Sequence, residues 1–184
     1  NRGRAAPRKR GQHLGFRLAR TWPGGPAAVA DAAELPFAAA SFDALCHSDL
    51  LCCLKRKSKV LSDCRRVLRR SGLMVFSVIS VLPGLTPADH RRAVNSGPEF
   101  IESPASYPAL LAETGWTVIE QRDVTAEFTV LTRQRLNAEV HQRSALKVEQ
   151  GATEVEEHIT RCRSRLLALS EGLLKRELFI VSHG

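Results

Sequence analysis

No apolar run in these 184 residues approaches the ~20 residues that a membrane-spanning helix needs. The greasiest stretch, residues 73–82, has the length of a buried strand. No C-x-x-C pair occurs among the five cysteines (Cys46, Cys52, Cys53, Cys64, Cys162), and their odd number argues against a disulfide framework. Buried free thiols in a reducing compartment are expected, which means a cytoplasmic protein, with Cys52 and Cys53 pointing to different sides of their element. No acid occurs in the first thirty residues, which hold seven basic ones (Arg2, Arg4, Arg8, Lys9, Arg10, Arg17, Arg20). Removing these seven from the 27 Lys and Arg leaves 20 basic against 19 acidic groups. The formal net charge of +8 therefore belongs to the leader, and nucleic-acid binding by the domain is disfavoured. No apolar segment of the secretory type is present. Methionine is nearly absent too: the chain starts at Asn1 and its one methionine is Met74, so a processed chain or a fragment is expected.

What is present suits one domain with a real core, at 43% hydrophobic and 25% charged residues. Residues 1–29, rich in Arg, Gly, Pro and Ala, read as a disordered or poorly specified basic leader, because Trp22-Pro23-Gly24-Gly25-Pro26 can continue neither helix nor central strand. Residues 27–30 can form a brief strand and residues 42–47 a buried one, followed by a turn or short helix over 48–54. From Lys57 the spacing of Val60, Leu61, Cys64, Val67 and Leu68 predicts a helix. Arg65, Arg66, Arg69 and Arg70 are expected on its outer face and last turn, with Gly72 as the C-terminal cap. Residues 73–79 read as a central strand, completing a βαβ unit. A short helix is expected near 87–94, another capped by Ser103 with Pro104 and ending before Gly115, and a strand over 116–124. Residues 127–148 read as a helix. The next begins at a Thr153–Glu156 capping box and carries the stripe Val155, Ile159, Cys162, Leu166, Leu169, Leu173. Residues 178–182 form a last strand, and no internal repeat is visible.

Four short motifs occur in order: A-D-A-A-E-L-P-F at 30–37, S-F-D-A-L at 41–45, R-R-V-L-R-R-S-G-L-M-V-F-S at 65–77 and Y-P-A-L-L-A-E-T-G-W-T-V at 107–118. Together they resemble the C-terminal part of a class I S-adenosylmethionine-dependent methyltransferase, closest to the type 11 small-molecule group. The resemblance implies an α/β fold: a Rossmann-like parallel sheet with helices on both faces and an antiparallel last strand, N-terminally incomplete. The family's strand order is 3-2-1-4-5-7-6. Residues 30–184 would be a partial domain with helical insertions at about 83–103 and 127–173 that cover the acceptor site.

The implied cofactor is S-adenosylmethionine and the implied partner a small-molecule methyl acceptor. Asp31 matches the acidic residue that accepts from the adenine amino group, and Ala32 the backbone position beside it. Cys46 and His47 match the strand end lining the methionine moiety. The resemblance assigns no catalytic residue; His47 and Asp49 are candidates on position alone, Asp49 either orienting His47 or facing water. Methyl transfer from a sulfonium is largely a matter of placing a nucleophile in line, and a base helps only where the acceptor must lose a proton. Two family features are missing from these residues: the G-x-G-x-G loop and the acid that holds the ribose. Impaired or absent activity is therefore expected. The alternative is a non-catalytic remnant or regulatory protein, and an open sheet edge would allow self-association.

Overall fold

The computed structural model describes residues 30–184; the leader, and with it most of the expected strand at 27–30, lies outside the described residues. Strand β1, Phe42–Ser48, buries Phe42, Leu45 and His47 and exposes Asp43, Ala44, Cys46 and Ser48. A 3-10 turn at Leu51–Cys53 leads to helix α1, Lys57–Val67. Its apolar face is the expected one, with Val60, Leu61, Cys64 and Val67 all buried.

The end of α1 differs from the sequence expectation. The chain turns straight into strand β2, Leu68–Val81, with Leu68 already extended and paired to Phe42. Gly72 is thus a strand residue and caps nothing. The register jumps between Phe42 and Ala44, so β2 loops out before Leu73. At Gly72 an added Cβ would lie 2.7 Å from the Asp43 carbonyl oxygen and 2.7 Å from Leu68 Cδ1. Backbone cannot retreat as a flexible side chain can, so Gly72→Ala should lower stability by about 1–3 kcal/mol in urea unfolding.

The arginines do more than decorate a solvated face. Arg65 Nε donates to the Gly115 carbonyl (2.8 Å), and Arg66 donates to the carbonyls of Phe37 (2.6 Å) and Leu35 (2.8 Å). Asp63 completes this clamp, accepting from Arg66 Nε at 2.8 Å and from the Leu35 amide at 2.6 Å. The L-P-F turn is therefore held by the very helix that carries the R-R-V motif. Arg69, now in β2, pairs with Asp43.

Helix α2, Pro87–Ser96, is capped by Thr86 Oγ1, which accepts from the Asp89 amide at 3.2 Å. Helix α3, Tyr107–Glu113, is capped by Ser106 rather than Ser103, with Pro108 in place of Pro104 in its first turn. Both serines precede a proline closely; Ser106 wins because starting there buries Tyr107, Leu110 and Leu111. Strand β3, Trp116–Asp123, follows. The expected helix at 127–148 is two, α4 (Thr125–His141) and α5 (Arg143–Gln150). Helix α6, Ala152–Ser170, begins after Gly151, so Thr153 is already helical and the expected capping box does not form; Arg143 (2.5 Å) and Lys147 (2.7 Å) pair with the Glu156 carboxylate. Strand β4, Leu174–His183, ends the fold.

The four strands run β1-β2-β4-β3, with β1 parallel to β2 and β4 antiparallel to both its neighbours. This is the 4-5-7-6 half of the order expected from the motifs, antiparallel strand included. Among the described residues, β1 pairs on one side only, so the sheet is open there. The main core lies on the sheet against α1 and α3. A second, small core of Leu136, Val155 and Ile159 joins α4 to α6, with Leu146 and Cys162 packed against it. All five cysteines are free, as expected, but only Cys52 and Cys64 are buried; Cys46 is exposed. Among the described residues no helix is long and apolar enough to cross a membrane.

Candidate functional site

At the carboxyl end of β1 the strand alternation separates the residues that the sequence reading grouped. His47 is buried and stacks on Phe76, ring centroids 5.0 Å apart, while its neighbour Cys46 is on the exposed side. Phe76 stacks in turn on Phe179 (5.1 Å), and Tyr107 of α3 lies 6.4 Å from Phe179. The row His47–Phe76–Phe179 is one cross-strand rung of β1, β2 and β4, as the register requires. Burial lowers the His47 pKa from its ordinary 6.5 to about 3, so the imidazole is neutral at pH 7 and a poor proton acceptor. Stacking on Phe76 holds the ring in the core.

Asp49 follows the strand in a left-handed conformation (φ 52°), which aspartate tolerates better than most residues. Its carboxylate is partly exposed and engaged by a distant arginine. It takes Arg176 Nε of β4 at 2.9 Å, while Arg176 also donates to Ser48 Oγ (2.8 Å) and Ser77 Oγ (2.7 Å). Arg176 sits over the Phe128 ring of α4 at 4.6 Å. Asp49 and Arg176 are both mostly shielded, with side chains 26% and 18% exposed, so their pair is worth more than a surface ion pair. It ties the end of β1 to β4 and to the helical layer.

Asp31 stands in the turn segment that precedes β1. Its Oδ1 accepts from the Ala33 amide at 2.9 Å, a local turn bond, and its Oδ2 pairs with Arg56 at 2.7 Å. The side chain remains 53% exposed, so lone pairs stay available to a ligand donor. Ala32, beside it, is buried.

A cavity of about 480 Å³ lies beyond the end of β2, walled by residues 80–85 and 101–108 and floored by Gln121, Lys175 and Glu177. Ser80, Ser103 and Tyr107 are among its lining residues, and their hydroxyl oxygens are themselves buried with no protein hydrogen-bond partner. Burial pushes the Tyr107 phenol up, which keeps it a neutral donor. Glu177 accepts from Gln121 Nε2 and pairs with Lys175 Nζ, both at 2.8 Å. Lys57, itself buried, braces the wall: its Nζ donates to the carbonyls of Leu54 (2.8 Å) and Phe100 (2.6 Å), joining the turn after β1 to the segment after α2.

Sequence reasoning missed Arg176, Tyr107, Lys175, Glu177 and Lys57. Lys175 and Glu177 have no motif around them; only the antiparallel pairing of β4 with β2, Ser80 opposite Lys175 and Val78 opposite Glu177, brings them to the cavity. Of the two segments expected to cover an acceptor site, the one near 83–103 lines this cavity and the one at 127–173 does not.

A family described as the methyltransferase domain matches residues 6–76, which include part of the leader and the first two motifs. Among curated proteins none matches by sequence. Among solved structures, a candidate sarcosine dimethylglycine methyltransferase from Galdieria sulphuraria is similar at TM-score 0.74 and 15% identity, over 83% of this chain and 57% of that one. Haemonchus contortus phosphoethanolamine N-methyltransferase 2, in complex with phosphomonomethylethanolamine and S-adenosylhomocysteine, is similar at TM-score 0.71 and 18% identity, over 84% and 36%. The [4+2]-cyclase SpnF is similar at TM-score 0.64 and 13% identity, over 85% and 54%. The chain thus spans between about a third and three fifths of the length of these relatives. Residues 6–76 match the methyltransferase-domain family, and residues 30–184 share the fold of these solved methyltransferases.

Proposed function

We propose that this chain serves methyl transfer from S-adenosylmethionine to a small polar acceptor, with cofactor bound at the Asp31 turn and β1 end and acceptor in the cavity beyond β2. The observation that carries the acceptor reading is that three residues lining one cavity, Ser80, Ser103 and Tyr107, have buried hydroxyls that the protein itself leaves unpaired. Each would forfeit about 1–3 kcal/mol if it stayed so, which makes a polar occupant the natural partner. The volume suits a small molecule. On the cofactor side, Asp31 offers its free lone pairs and Ala32 its backbone to the adenine edge, while Cys46 and the backbone at His47, near the end of β1, stand beside the methionine moiety. When bound, the sulfonium cofactor supplies the electrophilic methyl group. The chain's own part is to orient and to exclude water. His47, neutral and packed, shapes the site; Asp49 acts by holding Arg176.

The G-x-G-x-G loop is not found in these 184 residues, so cofactor affinity should be low and turnover impaired in this chain by itself. The open edge of β1 offers a place for another chain to pair. The missing glycine-rich loop favours a second reading, a non-catalytic or regulatory role, and the fold alone does not fix the chemistry, since a [4+2]-cyclase is also similar to it. Incubation with methyl-tritiated S-adenosylmethionine and a panel of small amines, acids and alcohols separates the two. Label transferred to an acceptor and reduced in Tyr107→Phe supports the enzyme; no transfer to any acceptor, or transfer indifferent to Tyr107→Phe, counts against the assigned cavity. Asp31→Ala should weaken cofactor binding by about tenfold, the worth of one charge-assisted hydrogen bond partly shared with Arg56.

A further inference from the structure

Away from the sheet, α4 and α6 bring three metal-binding side chains to one point. His158 and Cys162 stand one helical turn apart on α6, and Glu139 reaches them from α4; one donor atom from each lies within 4.8 Å of the other two. His158 Nε2 is 3.1 Å from Glu139 Oε2 and 3.4 Å from Cys162 Sγ. Tetrahedral zinc with ordinary bond lengths sets its nitrogen and oxygen ligands about 3.3 Å apart and its nitrogen and sulfur ligands about 3.6 Å apart. Both of His158's separations are thus close to edges of that tetrahedron, and the Glu139–Cys162 separation lies within 4.8 Å.

We propose that Glu139, His158 and Cys162 bind one zinc-type divalent ion, with water as the fourth ligand. Thiolate, imidazole and carboxylate form a donor set that suits zinc better than calcium or magnesium, and two anions with one neutral ring balance a dication. Binding breaks the Cys162 S–H bond and passes its proton to buffer, with no change of oxidation state. Arg135 Nε holds the other carboxylate oxygen, Glu139 Oε1, at 2.8 Å, which aims Oε2 at the ion as an outer partner does. The site lies at the rim of the small core of Leu136, Val155 and Ile159, so the ion would staple α4 to α6. This inference stands independently of the methyl-transfer reading.

The untagged full chain should be titrated with zinc chloride by calorimetry and with cobalt(II) by visible absorption. Saturable binding of one ion per chain, a sulfur-to-cobalt charge-transfer band and a raised unfolding temperature are expected. Cys162→Ser should abolish the band, and His158→Ala should weaken zinc binding at least about tenfold, while His141→Ala on the same helix pair should leave both intact. Should Cys162→Ser fail to fold, Glu139→Gln decides: affinity at the wild-type level overturns the site. No saturable binding to the folded wild-type chain, or binding that survives His158→Ala unchanged, overturns it equally.

Discussion

Phe179→Ala should destabilise the protein by about 3–5 kcal/mol, a large share of the 5–15 kcal/mol that holds a domain of this size. Phe179 has no exposed surface and stands between Phe76 and Tyr107, so its removal empties the middle of the aromatic rung that joins β2, β4 and α3. The cavity cannot close cheaply. Its neighbour Phe76 is fixed by strand pairing on both sides and fully packed, and Tyr107 is buried in α3. Equilibrium unfolding in urea measures the loss as a lower midpoint. Val148→Ala, at a position 87% exposed, should stay within about 0.5 kcal/mol and serves as the contrast.

The second large effect is acid lability centred on His47. Its pKa falls from 6.5 unfolded to about 3 folded, so the unfolded chain binds the extra proton at every pH between those values. Stability therefore rises with pH across this window and is lost as pH falls through it, with a slope approaching about 1.4 kcal/mol per pH unit. Above pH 6.5 the contribution is flat. Asp63 acts in the same direction but lower down: the Arg66 hydrogen bond and the Leu35 amide hold its pKa below the ordinary 3.8, so its stabilisation is present above that value and lost beneath it. Urea midpoints measured from pH 7.5 to 4 should fall steadily in the wild type and much less in His47→Leu. A His47→Leu profile parallel to the wild type would sink this account of the histidine.

Which features could be read from residues alone follows from the range over which each signal acts. The helix from Lys57 and the strand at residues 42–48 announce themselves by periodicity, because their buried faces repeat within the element. The order of the sheet came with the four motifs. What failed was decided by distant partners. Arg66 has the spacing of a solvated helical face, yet the carbonyls of Leu35 and Phe37 claim it from some thirty residues away. Glu156 has the spacing of a capping box, yet Thr153 is already helical, and the Glu156 carboxylate pairs with Arg143 and Lys147. Ser103 and Ser106 both carry cap chemistry, and only the burial of Tyr107 chooses between them.

The candidate site divides in the same way. Asp31 is recognisable because it sits inside a motif, and its turn bond to Ala33 and its pair with Arg56 are compatible with a ligand on its exposed side. Asp49 was visible as an acid near a strand end, but its real partner, Arg176, lies on the last strand and no spacing rule connects them. The cavity was invisible. Its three hydroxyl-bearing residues come from β2, the segment before α3 and α3 itself, and only the folded chain shows that none of their hydroxyls is paired by protein.

The central claim is that the Asp31 turn and the β1 end still receive S-adenosylmethionine. Calorimetric titration of the full chain with S-adenosylmethionine, on protein shown to unfold cooperatively, tests this most directly. A saturable one-to-one heat, diminished in Asp31→Ala, is predicted; a folded chain that gives no saturable heat at any attainable cofactor concentration would contradict it.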